Sequence, residues 1–445
     1  MAPTNPLMEY LPYSQTTNDL VISREEYLNR LYGFWLGQCI ANWTGLVTEM
    51  DKIGGEGSHG EFYTREDWGQ PDEPSIWAEG KPSDLSANID WVLEDEGGMW
   101  GADDDTDIEY MYQHLLLTNQ TSILTGEQIR DGWLKHIYSD DNTPFLNNEG
   151  EKENFLWVSN QRAHDLMRID GLLPPATSDP LNNIEYEMID AQLTTEIFGL
   201  FAPARPDVAL KMAHLPIRTT ARENAAWASG FYVVMYSLAS SVDRSLPMEK
   251  QIMWMADSAR QYLPDDSYSA KMFDFVKSRY RAGVPWEQAR DEVYRRYQLE
   301  QLDGYDITSK NLYCNGCFAS GINFAASLVS LLYGEGGFKE TVKIAVLAGW
   351  DSDNPAATWG GLLGFMHGKD GIEQAFGRKF ANRFSIHRTR GNFPNEGMDT
   401  FQAMAERGIF VIDRVVQEEI RGGVDLVNKQ WLIPAARPGN SPVRD

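Results

Sequence analysis

The sequence predicts an all-α protein, a single body built from many helices. Three observations carry that class. Apolar residues recur every three or four positions in segment after segment, no series of alternating strands separated by turns is present, and residues 311–334 run without a single charge. Residues 1–22 read as irregular. From Arg24 to Ala41 the residues Tyr27, Leu28, Leu31, Phe34, Trp35 and Cys39 mark one helix face, and Ile108, Met111, Leu115 and Leu116 do the same between Asp105 and Leu117. The period returns in Ala225 to Ala239, Cys317 to Leu332 and Lys339 to Leu347. The uncharged stretch is long enough to span a bilayer, but Asn315, Ser320, Asn323, Ser327 and Ser330 make it too polar, so it reads as a loop feeding a helix buried on all sides.

Between these helices, residues 51–101 are rich in Gly, Pro, Asp, Glu and Trp, which favours turns over helix. Phe62, Tyr63, Trp68 and Trp77 argue that the segment packs, and a lid over a site is the expected role. The last eleven residues, 435–445, read as a loose tail. No low-complexity linker divides the chain, so one domain over 1–445 is expected, with a helical body over 23–434.

Composition narrows the function. With 42% hydrophobic and 23% charged residues, the 445-residue chain is an ordinary globular protein with room for a large core. A net charge of −26 repels phosphate backbones and anionic lipid, which argues against nucleic-acid and membrane partners. The N-terminus lacks a basic region followed by an apolar run, so a cytoplasmic location is expected. Three cysteines cannot all pair, and Cys314 and Cys317 form a CxxC with no second motif to complete a zinc site. Buried, inert thiols are the expectation.

Two acidic clusters stand where a Gly-containing turn enters a helix: Asp103, Asp104, Asp105 and Asp107 in GADDDTDIEY, and Asp351, Asp353 and Asn354 in GWDSDNPAAT. Capping a helix and complementing its dipole needs one acid, not three in a row. Consecutive carboxylates repel unless a cation or protons neutralise them, and a hard divalent ion such as Mg²⁺, Mn²⁺ or Ca²⁺ takes oxygen ligands of this kind. Two clusters facing one another would hold a pair of ions.

A third feature is the stripe Gly33, Gly37, Ala41, Gly45 and Glu49, at four-residue spacing on one helix face, with Gly360 and Gly364 after the second cluster. Small residues so placed let another backbone approach closely. Glu49 ends the stripe where the expected lid begins.

These three motifs, in this order, resemble the ADP-ribosylglycohydrolases, and best their microbial members of undefined substrate. Ala41 to Glu49 is similar to the family's GDAxGxxxE, Asp103 to Thr106 to its Thr/Ser-Asp-Asp-Thr at a helix start, and GWDSDNPAATWGGLLG to its GGDxDT and small-residue helix; the likeness covers most of residues 24–367. The resemblance implies an orthogonal multi-helix bundle around two divalent ions, Mg²⁺ or Mn²⁺. It implies metal carboxylates at Asp104, Asp105, Asp351 and Asp353, with Asp103 and Asn354 at positions where the family carries hydroxyl ligands. Glu49 corresponds to the mobile acid near the anomeric carbon. Asn42 stands where the family has Asp.

The expected activity is hydrolysis of an N- or O-glycosidic bond to a ribose-like group, on a small-molecule or ADP-ribosylated substrate. Glu49, Asp104 and Asp353 are the expected catalytic residues, and Asn42, Trp43, Gln192 and Trp350 the expected substrate contacts. His59 and His114 lie near the motifs without ligand spacing and read as structural. Two other classes compete. Asp103, Asp104 and Asp107 also spell the DDxxD of Mg²⁺-dependent terpene cyclases, and the variant residues at 42, 103 and 354 suit an inactive relative that binds a nucleotide or sugar without cleaving it.

Overall fold

The computed structural model describes residues 2–77, 83–101, 103–147, 149–306 and 316–436. Its α-helices, in chain order, are α1 (Arg24–Gly45), α2 (Asp104–Thr118), α3 (Gly126–His136), α4 (Val158–Ile169), α5 (Asp190–Thr194), α6 (Ile197–Phe201), α7 (Pro206–Ile217) and α8 (Glu223–Leu238). They continue with α9 (Met248–Arg260), α10 (Tyr268–Arg281), α11 (Trp286–Val293), α12 (Ser320–Tyr333), α13 (Phe338–Ala348), α14 (Asp353–Phe376) and α15 (Phe401–Val415). The strands described are short: β1 (Leu20–Ser23), β2 (Arg383–Ser385), β3 (Met398–Thr400), β4 (Gly423–Asp425) and β5 (Gln430–Ile433). They make an antiparallel β2–β3 pair and an antiparallel sheet in the order β1-β5-β4. The all-α class stands. The N-terminal region is less irregular than expected, because Leu20 to Ser23 pair with Ile433 to Gln430.

The axis of the fold is the pair α1 and α14, and the glycine stripe explains it. A Cβ on Gly33 would lie 2.2 Å from the carbonyl oxygen of Gly364, one on Gly37 2.3 Å from that of Gly360, and one on Gly45 2.4 Å from the Cα of Asp353. Only glycine permits this approach, and it carries the last turn of α1 onto the first residue of α14. At the other end of α1, Ser23 caps the helix by accepting from Glu26 N–H. Buried Arg24 there donates to Asp413 of α15 through Nε at 3.0 Å and Nη2 at 2.6 Å.

Every residue of α12 from Ser320 to Leu332 is buried, as its uncharged sequence predicted. Its polar side chains donate to nearby carbonyls, Ser327 to Phe324 O, Ser330 to Ser327 O and Asn323 to Cys317 O, and Ser327 Oγ also accepts from the Tyr232 hydroxyl of α8. No helix of the described residues is long and apolar enough to cross a membrane.

The described part of 51–101 is a run of turns with one 3₁₀ turn at Arg65–Asp67. Buried Arg290 of α11 anchors it, donating to Tyr63 O at 2.8 Å and to Leu347 O at 3.2 Å while its guanidinium lies 4.6 Å from the Phe62 ring centre. Trp77 stacks on Phe318. The cysteines depart from expectation. Cys39 is a buried free thiol, but Cys317 is disulfide-bonded, and Cys314 lies outside the described residues.

Candidate metal centre

The two acidic clusters meet at the helix starts where their sequences placed them. Asp103 is the N-cap of α2, its carboxylate accepting from Asp105 N–H at 3.1 Å, and Asp104 and Asp105 form the first turn. Before α14 the chain passes through two successive left-handed residues, Gly349 (φ 100°) and Trp350 (φ 56°). A left-handed tryptophan is strained, and such strain persists only where surrounding structure fixes it. Here Trp350 N–H donates to Lys52 O at 2.7 Å and Met50 N–H to Trp350 O at 2.9 Å, which sets Glu49 beside Asp351. Ser352 Oγ donates to Gly45 O at 3.1 Å and locks the same junction to the end of α1.

The result is two overlapping triads. Carboxylate oxygens of Glu49, Asp351 and Asp353 lie within 4.8 Å of one another, and so do those of Asp103, Asp105 and Asp353. Asp353 belongs to both. Its Oδ2 accepts from Asn42 Nδ2 at 3.4 Å, while its buried Oδ1 has no hydrogen-bond partner. Asn42 Nδ2 also reaches Asp103 at 3.1 Å, and Asn354 Nδ2 donates to Asp105 at 3.2 Å, leaving buried Asn354 Oδ1 unpartnered.

The electrostatics are those of uncompensated burial. Desolvation, then repulsion from Asp103, pushes Glu49 up to about 7. Burial and the neighbouring acids hold Asp104, Asp105, Asp351 and Asp353 well above the carboxylate range, and burial raises Asp103 too. Arg390 opposes this at Asp103 and Asp104, but its ion-pair contact, 3.4 Å, is with Asp107. Acids this close cannot all ionise without added positive charge. An all-oxygen donor set with an orphaned buried carboxylate oxygen fits a hard divalent cation, and either triad could hold one.

Asp104 lies among these acids electrostatically, yet in neither triad. Half-buried Trp43 packs on Trp100, ring centres 5.2 Å apart, and lies over Gly101. Gln192 is buried, its Oε1 accepting from Ser320 Oγ at 2.8 Å and its Nε2 unpartnered. Trp350 requires correction as a substrate contact. It is fully buried, its indole N–H donates to Gln298 at 2.7 Å and its ring packs on Phe62, so no face is open. The DDxxD reading fails at Asp107, which turns to Arg390 and accepts from His387 N–H at 3.2 Å. His59 bonds to Asp51 O, and His114, packed against His136 and Phe393, is pushed down to about 4 by burial.

Sequence reasoning missed two residues here. Asp190 opens α5, accepts from Ser159 N–H at 3.3 Å, is pushed up to about 7 by burial, and raises Asp104 and Asp351 in turn. It begins the same short segment as Gln192, and an acid amid apolar residues was the available signal. Arg390 comes from the loop between β2 and β3 and had none.

A family profile described as ADP-ribosylglycohydrolase matches residues 23–408. A solved structure described as "ADP-ribosylglycohydrolase-related protein complex" aligns at 16% identity and a TM-score of 0.49, covering 87% of this chain and 99% of that one. No curated protein matches the chain.

Proposed function

The chain belongs to the ADP-ribosylglycohydrolase family, and on that premise we propose that it is a divalent-metal-dependent glycohydrolase cleaving an N- or O-glycosidic bond to a ribose-like group, ADP-ribosyl or nucleoside-like. The observation that carries this reading is the buried Asp353 shared by two acid triads. Asp103, Asp105, Asp351 and Asp353, with Asp104 and Asn354 beside them, would hold Mg²⁺ or Mn²⁺, two ions in all. When bound, such ions supply positive charge that grips sugar hydroxyls and lowers the pKa of water.

The chain's own groups supply the rest. Glu49, with a pKa near neutrality before cations bind, would take the proton of the attacking water. The acids around it favour the positive charge that develops at the anomeric carbon. Half-buried Trp43 would offer a ring edge to the substrate and Gln192 Nε2 a donor. The described turns of residues 51–77 and 83–101, which begin two residues after Glu49, would cover the entrance.

The test is incubation with Mn²⁺ and a panel of ADP-ribosylated peptides and nucleosides, read by mass spectrometry for the released sugar. Release is expected, and it should vanish in Asp104→Ala and Asp353→Ala. Full activity in either variant contradicts the assignment. Tight binding with no product over long incubation would instead establish the binding relative, which the amides at 42 and 354 suit.

A further inference from the structure

The proposed function leaves two substrate classes, an ADP-ribosyl group or a nucleoside-like one, and the start of α4 separates them. An ADP-ribosyl group carries a diphosphate, and a buried phosphate needs a cation or unclaimed N–H donors, such as those of a helix N-terminus. Helices α2, α14 and α4 begin around the acids, and each is already met by a carboxylate of the chain. At α2 and α14 that carboxylate is local: Asp103 caps the one, and Asp353 stands in the first turn of the other. At α4 it comes from elsewhere.

Trp157 precedes α4 and supplies no side-chain cap, and Val158, its first residue, is left-handed (φ 35°), an outlier for a β-branched side chain. The cap is instead Asp190, 31 residues on, whose Oδ2 accepts from Ser159 N–H at 3.3 Å and from Ser159 Oγ. Asp190 is itself buried, so the place that a phosphate oxygen would take on α4 is filled. The cation beside this helix start is engaged as well. Arg390 Nη1 donates to Asn154 O at 2.7 Å and to Thr389 Oγ1 at 2.8 Å, Nη2 donates to Phe155 O at 3.0 Å, and Nε faces Asp107.

What stays unsatisfied next to Asp190 and Ser159 is neutral. Asn160 is fully buried with both amide atoms unpartnered, and Gln192, two residues after Asp190, keeps an unpartnered Nε2. Carboxamides match the donor and acceptor edge of an uncharged heterocycle, and they cannot neutralise a phosphate.

We propose that Asp190 sets specificity by filling the α4 N-terminus, so that the site takes an unphosphorylated, nucleoside-like ribosyl compound and rejects the ADP-ribosyl group. This rests on the glycohydrolase reading and narrows it. A 5′-phosphate would bring a charge of about −2 into a centre where the two triads, Asp104 and Asp190 already outnumber the charges of two divalent ions.

The test compares hydrolysis of adenosine and uridine with that of their 5′-monophosphates and of an ADP-ribosylated peptide, in Mn²⁺, read by mass spectrometry of the products. Wild type should favour each nucleoside over its 5′-phosphate by at least about tenfold in kcat/KM. Asp190→Ser, which empties the place on α4, should cut that ratio below about threefold, whereas Asp190→Asn, which still fills it, should hold it above about fivefold. A cap with no part in specificity would slow nucleoside and nucleotide alike, so a ratio unchanged in Asp190→Ser overturns the proposal. So does a wild type that favours the phosphates or the peptide, a result readable even if Asp190→Ser does not fold. If no probe is hydrolysed, the proposed function fails, and selenate soaked into Mn²⁺-grown crystals decides the role of Asp190. Anomalous density for selenate is then expected at the start of α4 in Asp190→Ser and not in wild type; selenate there in wild type, or in neither protein, overturns the proposal.

Discussion

The two ends of α1 each meet buried acid, and they treat it in opposite ways. At the N-terminal end Asp413 accepts from Arg24 Nε and Nη2, from the Tyr10 hydroxyl at 2.7 Å and from the Trp431 indole at 2.7 Å, so its charge is answered within the fold. At the C-terminal end Glu49 and the Asp103–Asp105 and Asp351–Asp353 clusters crowd together with Arg390 turned mainly toward Asp107. The comparison separates scaffold from site. A buried charge satisfied by its neighbours holds elements together, while one left unsatisfied calls for a ligand.

The largest way to break this comparison is to truncate each acid. Asp413→Ala should cost about 3–5 kcal/mol, because it strands the Arg24 charge in the core. Asp353→Asn should do the reverse, raising the melting temperature of metal-free protein at pH 8 by relieving repulsion. Thermal melts in a chelator check both, and a loss of stability in Asp353→Asn would remove the distinction.

Smaller, but sharper, is the response to pH and ion together. Glu49 and Asp190 are both pushed up to about 7, so in metal-free protein their stabilisation is complete below the ordinary carboxylate range and lost as pH rises to about 7. Cations bind the ionised forms, so with Mn²⁺ present the dependence should reverse and stability should grow with pH. At a hundredfold excess over Kd the gain is about 2.7 kcal/mol. Melts from pH 5 to 8 with and without Mn²⁺ would show it; parallel curves would count against the site.

Most of this centre was legible because its signals are local. Consecutive acids at a helix start and glycines four residues apart are patterns that one helix imposes on its own sequence, and they placed Asp103, Asp105, Asp353 and the α1–α14 contact. What escaped depends on chain reversal. Trp350 stands beside Asp351 in sequence, but its left-handed backbone turns the indole into the core. Asp190 and Arg390 arrive from a five-residue helix and a loop, where no period marks which side chain points inward.

The central claim, that two distant acidic segments converge to hold divalent cations, is tested most directly by anomalous diffraction from crystals grown with Mn²⁺. The account predicts peaks about 2.0–2.3 Å from carboxylate oxygens of the two triads, with Asp353 touching more than one. Well-ordered side chains at Glu49, Asp103, Asp105, Asp351 and Asp353 with no anomalous density between them, at saturating Mn²⁺ and pH 8, would contradict it.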